Sequence, residues 1–446
     1  MPRPVAARPP QVVAASFIVL ITVGTVLLML PFASHDGSVG FVEAFFTSTS
    51  AVCVTGLAVV DTGSDFTAFG QAVILTLFQL GGLGLLTIGT LLALATGRRL
   101  GVGTRHVVKE QLSVTDLGGV LTHLRAVAVL VVVAESIGAL VLWLRFSTTE
   151  TTDAGLWSAV FHSVSAFNNA GFSLNTDSLV AYVSDPVVNL TIAGLIVVGG
   201  LGFVVTSDVL KWLLNRGSRR RSLALHTKIA LVSTFFLTAA GTTLILMVEW
   251  ANPATLGPLD TGGRLLASLF QSVTPRTAGF NTLDYGEMTT AGLLVTMLLM
   301  FIGGNPGSTA GGVRTVTVFV LVASVWSVIR GRREATAFGR TISSTTQIRA
   351  ASIVVVAALT GGAAVTLLAV FEPDIELGAL LFETISALGT VGLSTGITPE
   401  LGTPARLVLI AVMYLGRVGL LSFAIALIDP GPSQRVRRPA EDVVVG

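Results

Sequence analysis

Phe46-Thr-Ser-Thr-Ser-Ala-Val-Cys-Val-Thr-Gly56 is followed along the chain by three stretches of the same pattern: Phe161-His-Ser-Val-Ser-Ala-Phe-Asn-Asn-Ala-Gly171, Phe270-Gln-Ser-Val-Thr-Pro-Arg-Thr-Ala-Gly279 and Phe382-Glu-Thr-Ile-Ser-Ala-Leu-Gly-Thr-Val-Gly392. Their closing glycines stand 115, 108 and 113 positions apart, so one unit occurs four times, and a repeat of this kind dictates the architecture. Each unit reads as a long apolar helix, an acidic turn, a short moderately apolar stretch, the Ser/Thr/Gly segment, and a second long apolar helix. The short stretch, for example 156–167 or 378–388, has only about a dozen residues. A helix needs about 20 to cross a hydrocarbon core of about 30 Å, so the stretch enters the membrane and turns back. Both long helices of a unit must cross, which predicts eight spans and four half-helices.

Composition agrees with a home in lipid. Of the 446 residues, 52% are hydrophobic and 12% charged, about half the charge of a soluble domain, and the mean hydropathy is +0.81. Runs such as 12–30 and 353–370 are long enough to span, and no soluble domain separates them. Arg3 and Arg8 precede the first run, but no small-residue cleavage site follows Leu30, so this run is expected to be a membrane helix and not a signal peptide. The single Cys53 excludes an internal disulfide framework, and the five histidines have no ligand spacing.

The net charge of +2 conceals an asymmetry. Of the 27 Lys and Arg, 21 fall in the N-terminus, 98–125, 211–228, 330–349 and the tail. The positive-inside rule places these in the cytoplasm, with both termini inside a multi-pass protein of the cell membrane. The other side collects Asp36, Glu43, Asp61, Asp65, Glu150, Asp153, Asp177, Asp185, Asp284, Glu287, Glu372, Asp374 and Glu376. An acidic mouth concentrates cations, although outer loops that merely lack bases look the same. The predicted organisation is a cytoplasmic N-terminus 1–10, pore repeats 11–97, 120–216, 224–330 and 346–428, and a cytoplasmic tail 429–446.

Irregular backbone at membrane depth is tolerated only where it is buried in protein or lines a watery cavity. Four such segments therefore imply a central cavity. Ser/Thr/Gly segments can turn backbone carbonyls to an axis and replace an ion's hydration shell, and four half-helices point their partially negative ends at the same place. The fold class is an all-α polytopic membrane protein, potassium-channel-like, with four repeats of helix, re-entrant pore half-helix, filter loop and helix around a central pore. A second glycine repeat lies about 25 residues after each pore glycine: Gly81-Gly82-Leu83-Gly84, Gly199-Gly200-Leu201-Gly202, Gly303-Gly304-Asn305-Pro306-Gly307 and Leu415-Gly416-Arg417-Val418-Gly419. For the first two, close helix packing is the plain explanation. The third continues as Ser308-Thr309-Ala310-Gly311-Gly312, whose glycines and proline break a span.

These motifs, above all Gln-Ser-Val-Thr-Pro-Arg-Thr-Ala-Gly-Phe-Asn-Thr (271–282) and Gly-Gly-Asn-Pro-Gly-Ser-Thr-Ala-Gly-Gly-Val-Arg-Thr (303–315), resemble the Ktr/Trk/HKT superfamily of potassium transporters over 12–428, most closely its KtrB type. The length suits that type, because the TrkH type usually carries two further N-terminal helices. The resemblance implies potassium uptake, with Gly56, Gly171, Gly279 and Gly392 as filter glycines and neighbouring carbonyls from Val54, Thr55, Asn169, Ala170, Thr277, Ala278, Thr390 and Val391. It implies an intramembrane loop, 303–312, that sits under the filter as a gate with Arg417. It also implies a homodimer in the lipid bilayer with one pore per subunit, and a cytoplasmic ring of nucleotide-binding regulatory subunits of KtrA/TrkA type. K+ is the ion, Na+ coupling stays open, and nucleotide enters only through the partner, since the chain has neither Gly-x-Gly-x-x-Gly nor a P-loop. Arg98, Arg99, Arg219, Arg220, Arg221, Arg332 and Arg333 are candidate contacts for the ring, or topology signals only. No nucleic-acid partner is expected.

Other classes fit less well. Gly392-Leu-Ser394-Thr-Gly396 matches a nucleophile elbow, but no His follows Ser394, so no enzyme is expected. The potassium-binding subunit of an ATP-driven pump would be longer. A TrkH-type subunit remains an alternative, and a sodium-preferring relative would carry serine in place of Gly56. Cys53 sits either at the inner end of the filter or as a buried thiol. Arg145 is expected to snorkel outward, and Glu135 to pack helices or to act indirectly on the pore. Arg417 either faces the pore as an electrostatic barrier or is tied to backbone carbonyls.

Overall fold

The computed structural model describes residues 9–84, 120–148, 152–214, 223–332 and 334–419. Each repeat opens with an apolar helix: α1 (Pro9–Leu28), then in turn Val120–Phe146, Leu225–Glu249 and Ser344–Phe371. These four contain the helices long and apolar enough to cross a membrane unbroken. Each is followed by a short helix: α2 (Phe41–Cys53) in the first repeat, and Thr152–Asn168, Thr261–Val273 and Leu377–Gly389 in the others. The chain then passes through the Ser/Thr/Gly segment into an inner helix. Numbered in chain order, the four repeats are α1, α2 and α3 (Ala68–Leu83); α4 (Val120–Phe146), α5 (Thr152–Asn168), α6 (Pro186–Leu201) and α7 (Phe203–Leu214); α8 (Leu225–Glu249), α9 (Thr261–Val273), α10 (Thr290–Phe301) and α11 (Thr315–Ile329); and α12 (Ser344–Phe371), α13 (Leu377–Gly389) and α14 (Thr403–Val418).

The first, second and fourth inner helices differ from the continuous spans that the apolar pattern predicts, and the third breaks as its glycines and proline predict. Every one of them stops at its glycine cluster. The 16 residues of α3 rise about 24 Å, short of the hydrocarbon core. Gly84, Gly202 and Gly419 end α3, α6 and α14 at φ of 80°, 88° and 91°, a region that costs other residues a steric penalty. After Gly202 the chain turns by 101° into α7. In the third repeat a loop replaces the single glycine: the two-residue strand β1 (Ile302–Gly303) pairs in parallel with β2 (Val313–Arg314), and 304–312 lie between them. The clusters also serve the packing role expected of them. A Cβ on Gly81, Gly199 or Gly416 would lie 2.0, 1.9 or 2.2 Å from the carbonyl oxygens of Val52, Phe167 or Leu388, in the last turn of the neighbouring half-helix.

The repeats form a cycle. α3 packs on α5, α6 on α9, α10 on α13, and α14 back on α2, so that every inner helix covers the half-helix of the next repeat. At the seam between the fourth and first repeats, Arg406 donates to Glu43 at 2.8 Å. Arg145 does not snorkel freely, because its Nε meets Asp185, the N-cap of α6, at 2.5 Å. Of the basic residues considered as regulator contacts, Arg332 is exposed on the structure; Arg98, Arg99, Arg219, Arg220, Arg221 and Arg333 lie outside the described residues.

Candidate functional site

The four Ser/Thr/Gly segments leave their half-helices by one backbone turn. Val54, Asn169 and Thr390, the first residues past α2, α5 and α13, have φ of 58°, 58° and 49°, and Thr277 has 78°. Two residues on, Gly56, Gly171, Gly279 and Gly392 return to positive φ, at 94°, 71°, 82° and 94°. Residues of positive φ thus alternate with a residue outside that region along each segment. Positive φ at β-branched Val54, Thr277 and Thr390 is strained, by about 1–3 kcal/mol each, and persists only where the surroundings enforce it. Here they do. The amides of Thr55, Ala170 and Val391 donate to the carbonyls of Ser50, Ser165 and Ser386 at 2.8 Å, and Ala278 to Thr274 at 2.9 Å.

The glycines form a closed ring. A Cβ built on Gly56 would lie 2.6 Å from the Ala170 oxygen, on Gly171 2.7 Å from that of Ala278, on Gly279 2.4 Å from that of Val391, and on Gly392 2.0 Å from that of Thr55. Each contact passes to the next repeat and the last returns to the first. Of the twelve residues that the resemblance names as filter, the four glycines with Thr55, Ala170, Ala278 and Val391 are therefore brought together in one ring, with no room for a side chain at the glycine level, and Asn169 meets Thr277 beside it.

Hydroxyls behind the ring hold it, and sequence reading missed them. Ser50 and Ser386 accept from the amides of Gly56 and Gly392 at 3.1 and 3.0 Å. Ser165 and Thr274 donate to the carbonyls of Phe172 and Phe280 at 2.8 and 2.6 Å. The signal was present, since three of these residues stand six places before their glycine and the fourth five places before, in the segment one residue shorter. The residue after each initial Phe also faces this layer. His162 donates from Nδ1 to the Ser158 carbonyl at 2.8 Å, leaving Nε2 to accept from Ser173 at 2.9 Å. Glu383 accepts from Thr398 at 2.9 Å and from Ser394. Ser394 thus ties its loop to the fourth half-helix.

On one side the ring opens into a cavity of about 410 Å³ lined by the four glycines and by Asp61, Asp177 and Asp284. Three acids at one mouth raise the local cation concentration. On the other side lies the loop of the third repeat. A Cβ on Gly311 would fall 1.9 Å from Thr390 Oγ1, and one on Gly303 3.3 Å from Thr277 Cγ2. Thr309 Oγ1 reaches Asn169 Oδ1 at 3.4 Å and the Phe167 carbonyl at 3.3 Å. The amides of Asn305 and Phe203 donate to the carbonyls of Gly200 and Gly307 at 3.0 Å, joining the loop to the break in the second repeat. Within the loop, Ser308 donates to the Asn305 carbonyl at 2.6 Å, and Arg314 to that of Ala310. Pro306 has no amide hydrogen to satisfy.

Arg417 is half-buried beside this loop, donating to the carbonyls of Thr309 and Gly82, and to that of Gly81 at 2.6 Å. It also lines a cavity of about 210 Å³ under the fourth segment, with Gly312, Arg314, Leu388, Gly389 and Gly416. The carbonyl-tied alternative thus describes its bonding, and the cavity its setting. Cys53 is fully buried at the end of α2, as the thiol reading expects. Glu135 accepts from Gln79 at 3.1 Å and from Asn168, the last residue of α5, at 3.2 Å. It therefore both packs helices and abuts the second segment at its root.

A half-helix quartet around a closed glycine ring, open above to an acidic mouth and capped below by a loop, defines a membrane protein for the passage of cations. The sequence comparisons agree. A family profile described as TrkH, cation transport protein, matches residues 3–438, and the chain belongs to that family. It is 42% identical to Ktr system potassium uptake protein B of Bacillus subtilis, over 98% of this chain and 97% of that protein. It is 38% identical to potassium/sodium uptake protein NtpJ of Enterococcus hirae, over 98% and 97%. Among solved structures, the potassium transporter TrkH of Vibrio parahaemolyticus superposes with a TM-score of 0.74 at 18% identity, covering 96% of this chain and 86% of that one; at that identity the likeness is one of fold.

Proposed function

We propose that this chain carries potassium into the cell through the ring of Val54, Thr55 and Gly56, Asn169, Ala170 and Gly171, Thr277, Ala278 and Gly279, and Thr390, Val391 and Gly392. The observation that carries the reading is the closed cycle of glycine-to-carbonyl contacts, because a ring of rigidly supported carbonyls is how a protein replaces the hydration shell of a weakly hydrated monovalent cation. Relatives named for potassium uptake over nearly their whole length support the choice of ion. The name of the Enterococcus relative includes sodium, so sodium is the competing ion. Gly56 in place of serine favours potassium.

The loop 303–312 acts as the gate and Arg417 as its latch, supported by the loop's contacts with Thr390, Thr277 and Asn169 at the inner face of the ring. The distribution of bases supports both termini on the cytoplasmic side of a bacterial cell membrane. The subunit works as a homodimer with one pore each, under a cytoplasmic nucleotide-binding ring that meets the basic inner surface, Arg332 included. Expression in a bacterium lacking its own potassium uptake tests this. Growth at low potassium should be restored, and matched sodium should not substitute. Failure of rescue by protein present in the membrane, or equal uptake of both ions, would overturn the assignment.

A further inference from the structure

Arg276 is 8% exposed at the root of the third filter segment, and among the described residues no carboxylate pairs with it. A buried guanidinium without a counter-charge is costly, and its five donors require acceptors. Its Nε has none among the described residues. The acceptors it does have are two threonine hydroxyls, Thr234 and Thr315, each 3.3 Å from Nη2. Both lead to the loop 303–312. Thr315, the residue with which α11 begins, donates through its hydroxyl to the Gly303 carbonyl at 2.5 Å and through its amide to Gly304 at 3.0 Å. Asn305 reaches the Thr234 hydroxyl at 3.5 Å. The guanidinium thus touches, through one hydroxyl each, the place where the loop leaves α10 and the place where it rejoins α11. The filter segment itself is held by other bonds, from Ala278 to Thr274 and from Thr274 to Phe280.

We propose that Arg276 is a positioning residue that fastens both ends of the loop 303–312 to the third filter segment, so that movement of the loop away from the ring requires the Arg276–Thr315 link to be released. The inference rests on the reading of that loop as the gate. A charge that is unpaired and short of acceptors is held less firmly than one in an ion pair, which suits a link that must break and re-form.

The test measures potassium and sodium flux from liposomes holding the purified full chain and its variants. Thr315→Val keeps the shape of the side chain and removes the hydroxyl; Arg276→Gln removes the charge. Each should raise potassium flux by about threefold or more through loss of the closed arrangement, and the double variant should raise it by less than the product of the two single effects, because the Arg276–Thr315 link is cut in both. Arg276→Lys, which keeps a donor, should fall between. The potassium to sodium ratio should not change. A variant lacking 305–310 serves as reference. If it conducts faster than the parent while Thr315→Val and Arg276→Gln conduct like the parent, the link is overturned and the gate reading stands. If the shortened variant itself shows no increase, the gate reading fails and the inference with it. Loss of selectivity in Arg276→Gln or Thr315→Val would assign Arg276 to the filter and overturn the proposal as well.

Discussion

At the residue scale, what matters is whether a backbone position tolerates a Cβ and whether a buried polar group keeps its partners. Gly56 fails the first condition doubly, by its φ of 94° and by the Ala170 oxygen 2.6 Å from the missing Cβ. Gly56→Ser should therefore displace the second repeat's carbonyls and lower discrimination against sodium, read as a fall in the potassium to sodium flux ratio; an unchanged ratio would remove Gly56 from the filter. Glu135 depends on the second condition. Replacement by Leu leaves the Gln79 amide facing apolar carbon, at about 1–3 kcal/mol for the orphaned donor, while the Asn168 amide keeps Gln79 and the Val164 carbonyl as acceptors. Glu135→Leu should lower the melting temperature of the purified protein clearly, whereas Glu135→Gln, which still offers an acceptor, should lower it little. Equal melting of the two would mean that the bonds at 3.1 and 3.2 Å contribute nothing.

At the scale of elements, the break in each inner helix is what brings irregular backbone beneath the ring. A continuous α10 would run past the ring; instead the chain leaves the helix at Phe301 and returns at Thr315, putting backbone under the inner mouth. Arg417 spans from this loop to the break in the first repeat through the carbonyls of Thr309, Gly81 and Gly82. Arg417→Ala removes those bonds and the charge at the inner cavity together, so potassium flux in liposomes should rise, with selectivity intact. A fall in flux would assign Arg417 to holding the pore open. The apolar run 290–329 shows that something interrupts it, because five glycines and a proline lie in 303–312; that the two ends of the interruption pair in parallel, Ile302 with Val313, is a tertiary fact.

For the whole molecule the decisive feature is cyclic closure, in which α14 packs against α2. The ion pair at this seam, Arg406 with Glu43, has side chains 16% and 31% exposed. A pair so placed is worth about 1 kcal/mol or less, and the apolar contacts of α14 and α2 carry the closure. Glu43→Gln should change stability by no more than about 1 kcal/mol, measured by thermal unfolding in detergent; a larger loss would make the pair the clasp of the ring. The distribution of bases predicts that both termini face the cytoplasm. Reporter fusions at either end should report the cytoplasm, and a periplasmic signal from one end would overturn the even number of crossings.

The sequence by itself determined the repeat, the re-entrant half-helices and the four glycines, because these depend on local length, hydropathy and residue type, which four copies display four times. It also displayed Ser50, Ser165, Thr274 and Ser386 in register, but their purpose is visible only where their hydroxyls meet filter amides and carbonyls. Tertiary structure alone decided the order of repeats around the axis, the breaks in the first, second and fourth inner helices and the partners of Arg276, Glu135 and Arg417. Those depend on contacts between segments distant in the chain, such as Glu135 with Gln79, Asn169 with Thr277 and Arg417 with Gly81. A glycine run states that the backbone is free to turn; which carbonyl fills the space of the absent Cβ is settled only by what packs against it.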